Sequence, residues 1–107
     1  MMQSLLKVEM IRSQKLRDSA RGEPCTMFAP GCTGGGADTV LCHSNMQVHG
    51  KSRGMKAHDI FSFYGCSNCN AWYDDSKATR EEKQAYLLPA MARSQIRFYE
   101  KELLVVA

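Results

Sequence analysis

Two pairs of cysteines constrain this chain more than anything else in it. Cys66 and Cys69 form a CxxC within "YGCSNCNAWYDD", and Cys25 and Cys32 stand with six residues between them in "EPCTMFAPGC". Glycine and proline flank both pairs, the composition of tight turns that can aim backbone amides at sulfurs. A zinc ion takes four soft or borderline ligands in a tetrahedron, and two such turns brought together from distant parts of the chain supply them. The spacing of the first pair is wider than in the usual zinc knuckle. A redox CxxC would stand at a strand-to-helix junction in a thioredoxin-like βαβ unit, a context this sequence lacks. The fifth cysteine, Cys42, reads as a small buried hydrophobe rather than a ligand.

A metal suits the size of the chain. With 107 residues it is expected to form one small domain, and the core of such a domain is thin enough to need reinforcement. The amino terminus, "MMQSLLKVEMIRSQKLRD", has neither a continuous apolar core nor a small-residue cleavage site, so no signal peptide is expected. The thiols should then face a reducing compartment, where metal binding is favoured over disulfides. No stretch is apolar enough over the ~18–20 residues of a membrane span. The net charge of +3 and pI near 8.7 are compatible with nucleic acid without singling it out.

Apolar Leu5, Val8, Ile11 and Leu16, with Lys7, Arg12, Lys15 and Arg17 between them, predict a basic amphipathic helix over 4–20, with residues 1–14 as a helical extension. Five glycines and two prolines make 21–38 a loop. The runs 39–43 and 60–65 favour strand and predict a hairpin joined by a long polar loop, a length common in functional loops. A helix should follow Cys69 through Trp72, which is expected in the core beneath the knuckle. Thr79, with Glu82 three residues on, should open another by a capping box. Leu88, Met91, Ile96, Tyr99 and Leu103 would be its packing positions, Pro89 should start or kink a segment, and Arg93 and Arg97 would share a face towards phosphates or water. The fold class is α+β, a β-hairpin flanked by N- and C-terminal helices.

His43 ends the first strand, His49 and His58 lie in the loop, Asp59 begins the second strand, and Asn70, Asp74 and Asp75 follow the CxxC. Strand with His, loop, strand with acid, then CxxC and a polar helix is the layout of the ββα-metal, or HNH, nucleases. Phosphodiester hydrolysis wants a general base that titrates near neutrality, which histidine supplies. It also wants a hard cation held by oxygen ligands. His43 is the candidate base. Asp74 and Asp59 are the preferred candidate ligands for a catalytic Mg²⁺ or Mn²⁺, ahead of Asn70, with Asp75 facing solvent. The loop "HGKSRGMKAH" carries Lys51, Arg53 and Lys56, which could contact a nucleic-acid backbone without base specificity or simply be solvated.

Particular segments carry a closer resemblance: "LRDSARGEPC" (16–25), "PGC" (30–32), the His of "LCHSN", "KAHD" (56–59), "CSNC" (66–69), Asp74 and "AMARSQIRFYEKELL" (90–104). Over roughly residues 15–107 the chain resembles the YbcO-like family of small phage and prophage proteins, to which a nuclease role and an HNH-like fold are ascribed. The resemblance implies a structural zinc on Cys25, Cys32, Cys66 and Cys69, a catalytic His43, DNA as partner, and the cytoplasm of a bacterial host. The sequence departs from the HNH pattern after the CxxC, where Asn70 stands in the place of a frequent histidine. Two functions are therefore expected: a metal-dependent DNA endonuclease, or a non-catalytic zinc module binding DNA or a phage recombination or replication protein.

Overall fold

In the computed structural model, residues 9–107 are described. They form helix α1 (Gln14–Asp18), strand β1 (Val40–His43), a 3₁₀ turn (Gln47–His49), strand β2 (Ser62–Gly65), helix α2 (Ser67–Asp75) and helix α3 (Arg80–Glu100). The molecule is a small α+β structure built on one two-stranded antiparallel hairpin.

The hairpin forms where branched and aromatic residues predicted it, with Cys42 opposite Phe63 and His43 opposite Ser62. Every residue of β2 is buried. Its side chains alternate between two apolar clusters, as the strand period dictates. Phe63 joins Cys25, Cys66, Cys69, Tyr73 and Leu87 on one side, while Tyr64 joins Leu16, Ala20 and Phe98 on the other. The outer edge of β2 is covered rather than left open: the Thr26 amide donates to the Tyr64 carbonyl at 2.8 Å, and the Tyr64 amide donates to Ser94 Oγ at 3.0 Å.

Three expectations are corrected. The first helix is only Gln14–Asp18; residues 9–13 are not helical, and the part of the expected helix at 1–8 lies outside the described residues. The reason is tertiary: the Asp59 amide donates to the Ile11 carbonyl, the Ile11 amide to His58 Nδ1, and the Ser13 amide to Asp59, before Ser13 caps the helix. The second helix starts at Ser67 rather than after Cys69, because Cys66 serves as its N-cap, its sulfur accepting from the Cys69 amide. The long helix opens at Thr79 with the predicted capping box. Its buried stripe, however, is Leu87, Ala90, Met91, Ser94 and Phe98, whereas Leu88, Ile96 and Tyr99 are exposed. Pro89 sits within it on the exposed side, where the Ala85 carbonyl that loses its partner can meet water.

Candidate metal centre and histidine cleft

The loop 21–39 folds back on itself to present the first cysteine pair. The Cys25 amide donates to the Gly34 carbonyl at 2.9 Å. Gly35 has φ +81°, and a Cβ there would meet the Cys25 nitrogen at 2.5 Å. Only glycine permits that approach. Cys66 caps α2 and Cys69 lies one turn along it, so the second pair is fixed by the helix start. The four Sγ atoms of Cys25, Cys32, Cys66 and Cys69 lie within 4.8 Å of one another. A tetrahedron with Zn–S bonds of about 2.3 Å has sulfurs ~3.8 Å apart, so the cluster needs little closure to hold a zinc ion.

The surroundings fit that ion. The Gly34 amide points at Cys32 Sγ at 3.3 Å and the Cys69 amide at Cys66 Sγ at 3.4 Å. Burial opposes ionisation of Cys66, but hydrogen bonds from Thr33 and from the Cys69 amide outweigh it and bring the thiol down to about 6. A thiolate is therefore present near neutral pH to take the first metal bond. Cys42 is buried outside the cluster, and burial pushes its thiol up. Trp72 is half-buried at the edge of this core, against Tyr86; the fully buried aromatic of α2 is Tyr73.

On the far side of the hairpin end, a cleft of about 270 Å³ is lined by His43, Asn45, Lys51, Lys56, Asn70 and Asp74, among others. Side chains from β1, the loop and α2 thus converge on one space. Asn70 and Asp74 are one helical turn apart on α2, which puts both on the same face. Partial desolvation against the cleft wall, then the neighbouring Asp75 charge, raise the Asp74 carboxyl above its ordinary range. A cation in the cleft would reverse that shift.

Asp59 does not face the cleft floor with Asp74. Its side chain is 1% exposed, and His43 Nε2 donates to its Oδ1 at 2.7 Å. Oδ2 accepts from the Ser13 amide at 2.6 Å and from Arg17 at 2.9 Å, with Arg12 at 3.5 Å from Oδ1. Burial alone would raise this carboxyl. The bonds from His43 and Ser13, with the Arg17 charge, more than offset it and hold the group below the usual range. An ionised carboxylate only accepts, so Nε2 of His43 carries a proton; in the neutral ring Nδ1 then holds the lone pair. His43 itself is 12% exposed, enough to be reached from the cleft.

Other expected contacts fall elsewhere. Arg53 lies on a neighbouring groove rather than in the cleft. His49 stacks on Phe61 and His58 holds the Ile11 amide, so both loop histidines serve the loop's own packing. Arg93 donates to the Thr26 carbonyl and Arg97 pairs with Glu23, so neither is free to meet phosphate. Sequence reading missed Asn45, whose amide and side chain are both bonded to the Tyr73 hydroxyl at the cleft's edge. It also missed Arg17, whose partner is 42 residues away, a distance that leaves no local pattern.

A family model described as "Putative nuclease YbcO" matches residues 14–103. The chain belongs to the YbcO family. Among solved structures it is similar to one described as a putative bacteriophage protein from Escherichia coli str. K-12 substr. MG1655. That similarity has a TM-score of 0.63 and 24% identity over 82% of this chain and 100% of the other. At that identity the likeness establishes a shared fold. No curated protein matches the chain. The YbcO match begins at the first residue of α1 and runs past the end of α3, so it takes in all four cysteines, His43 and Asp59. No helix among the described residues is long and apolar enough to cross a membrane.

Proposed function

We propose that this YbcO-family chain is a zinc-stabilised, metal-dependent endonuclease of the HNH type that hydrolyses DNA phosphodiester bonds in a bacterial host cytoplasm. The observation that carries the reading is the buried Asp59–His43 pair opening onto a cleft that also holds Asn70 and Asp74. The family's description as a nuclease and the strand–strand–helix order with a histidine at the end of the first strand support it.

In this reading His43 Nδ1 takes the proton from a water attacking phosphorus, and Asp59 holds the ring in the needed tautomer and stabilises the charge it gains. Asp59 is thereby a positioning residue, a different role from the ion ligand its place in the sequence suggests. Asp74 and Asn70 remain to hold a Mg²⁺ or Mn²⁺, which would neutralise charge on the phosphate and the leaving oxygen. Two protein ligands are enough for such an ion when water and phosphate oxygens complete its shell. Lys51 and Lys56, which also line the cleft, would bind the phosphates flanking the cut.

One observation favours the alternative, a zinc module that binds DNA or a phage recombination or replication protein without cutting. With both Asp59 oxygens engaged, the cleft offers a single carboxylate, on α2, to a cation. Nicking of supercoiled plasmid by the zinc-loaded chain in Mg²⁺ or Mn²⁺ separates the two. Nicking that is lost in His43→Ala and falls on the order of 10²-fold or more in Asp59→Asn, with zinc content unchanged, is the expected result. Folded protein that nicks neither plasmid nor branched or single-stranded DNA would sink the nuclease reading.

A further inference from the structure

Beside the histidine cleft runs a second, larger depression of about 910 Å³. The two share Asn45 and Lys51, so they adjoin one another. One wall is the loop, with Lys51 and Arg53. The other is the first turn of α3, with Arg80 and Lys83. Met46, Val48 and Ala78 add apolar surface beside polar Asn45, Gln47, Ser52 and Gln84, and no carboxylate lines the depression.

The cations of this depression differ from the four described Lys and Arg side chains that are tied to a carboxylate. Arg12, Arg17, Arg97 and Lys101 are each paired with Asp59 or Glu23. None of the groove cations is paired with a carboxylate among the described residues; Lys51 and Lys83 each donate to a backbone carbonyl, of Ser52 and Ser76, and all four line the one depression. Four like charges at one site repel; Asp74 offsets part of that cost at Lys83, and an anionic ligand along the depression would offset the rest. A single phosphate would satisfy one or two of them. A polyanion with regularly spaced charges satisfies all four, and a lining without aromatic rings offers a base no stacking partner.

We propose that this groove holds the phosphate backbone of a nucleic-acid strand running out of the His43 cleft, gripped between Lys51 and Arg53 on the loop and Arg80 and Lys83 on α3. The assignment rests on the nuclease reading for its direction, and it extends the nucleic-acid contact from the loop to a helix that sequence gave no reason to include. Recognition in such a groove is sequence-independent and salt-dependent, because every contact is to phosphate.

The test measures binding, so that it stands apart from cleavage. Fluorescence anisotropy of a labelled mixed-sequence DNA oligonucleotide, single-stranded and as duplex, is followed with zinc-loaded His43→Ala protein without added Mg²⁺, across a salt series. Arg53→Ala with Arg80→Ala in that background removes one cation from each wall; neither side chain has a hydrogen-bond partner among the described residues, and melting curves check the fold. Affinity should fall about tenfold or more, and the slope of log K against log salt should flatten by about 1.5, the loss of two phosphate contacts. Lys15→Ala with Arg21→Ala, on a different surface, should change affinity less than about twofold. Unchanged affinity and slope in the groove variant, an equal loss in the Lys15/Arg21 variant, or no binding to either oligonucleotide would overturn the groove assignment. Binding that behaves as expected in a protein that cuts nothing would leave the groove standing and remove only the nuclease.

Discussion

Glu23 is buried, yet it keeps its charge because Arg97 holds it through two bonds, 2.9 and 3.2 Å, and Lys101 adds a third at 3.1 Å. The hydrogen bond from Arg97 is the main reason its carboxyl lies below the ordinary 4.5. A group whose folded-state value is depressed contributes stability above its unfolded value and loses it as pH falls through the folded one. Glu23→Gln should therefore cost roughly 1–2 kcal/mol near neutral pH, discounted for the half-exposed guanidinium. Thermal melts of the two proteins should differ at about pH 7 and converge as the pH falls through the folded-state value, which lies below 4.5. Zinc content is checked at each pH, because loss of the metal in acid would unfold both proteins and close the gap for a different reason. A gap that stays constant across that range would show that Glu23 does not act through its charge. Asp59 shows why such residues are hard to read in advance. The sequence shows an acid before a strand, but whether it faces the cleft or lies behind His43 depends on Ser13 and Arg17 folding over it. His43 and the four cysteines were legible because their positions follow from a strand end and from turn composition. Arg17 and Asn45 were not, since their partners arrive from distant chain.

The long helix α3 shows where periodicity misleads. Its buried face contains Ser94, which accepts from the Tyr64 amide and meets Thr26 Oγ1 at 3.1 Å. A polar residue in the middle of the stripe breaks the apolar pattern, and Ile96 and Tyr99 on the outer face supply a false one. The hairpin had no such competitor, and neither did the start of α3, where Thr79 and Glu82 bond reciprocally to the backbone as the sequence suggests. Energetics should follow the structure rather than the hydropathy. Ser94→Ala leaves a buried amide on β2 without a partner and should destabilise the chain by about 1–3 kcal/mol. Ile96→Ala, at a position 62% exposed, should stay within about 0.5 kcal/mol of the parent. Urea melts of the two variants give the comparison. The reverse order would mean that the packing face of α3 is misassigned.

Across the whole molecule, the larger of the two apolar clusters is built around the cysteines: Cys25, Cys66 and Cys69 belong to it, and Cys32 packs at its edge. The four-cysteine cluster is therefore part of the core rather than an attachment to it. Structural zinc contributes on the order of 10 kcal/mol in small domains, comparable with the entire stability of a chain this size. Stripping the metal with a strong chelator should abolish the far-ultraviolet helical signal at about 25 °C, and one zinc per chain should restore it. Cys42→Ser should leave the zinc content unchanged, since Cys42 stands outside the cluster. A metal-free chain that keeps its helices would show that the apolar contacts suffice alone.

The way the sulfurs are distributed along the chain also dictates an order of assembly. Cys66 and Cys69 are one turn apart at the start of a helix, so two sulfurs of the cluster are already neighbours in the sequence and could hold an ion before the rest of the chain closes. Cys25 and Cys32 can join only by closing a ring that contains the whole hairpin and His43, at an entropic cost of ~3 kcal/mol. The same closing step that completes the tetrahedron brings β1 against β2 and seats His43 over Asp59. A metal held by all four sulfurs would therefore fix the hairpin that carries His43 before any nucleic acid arrives.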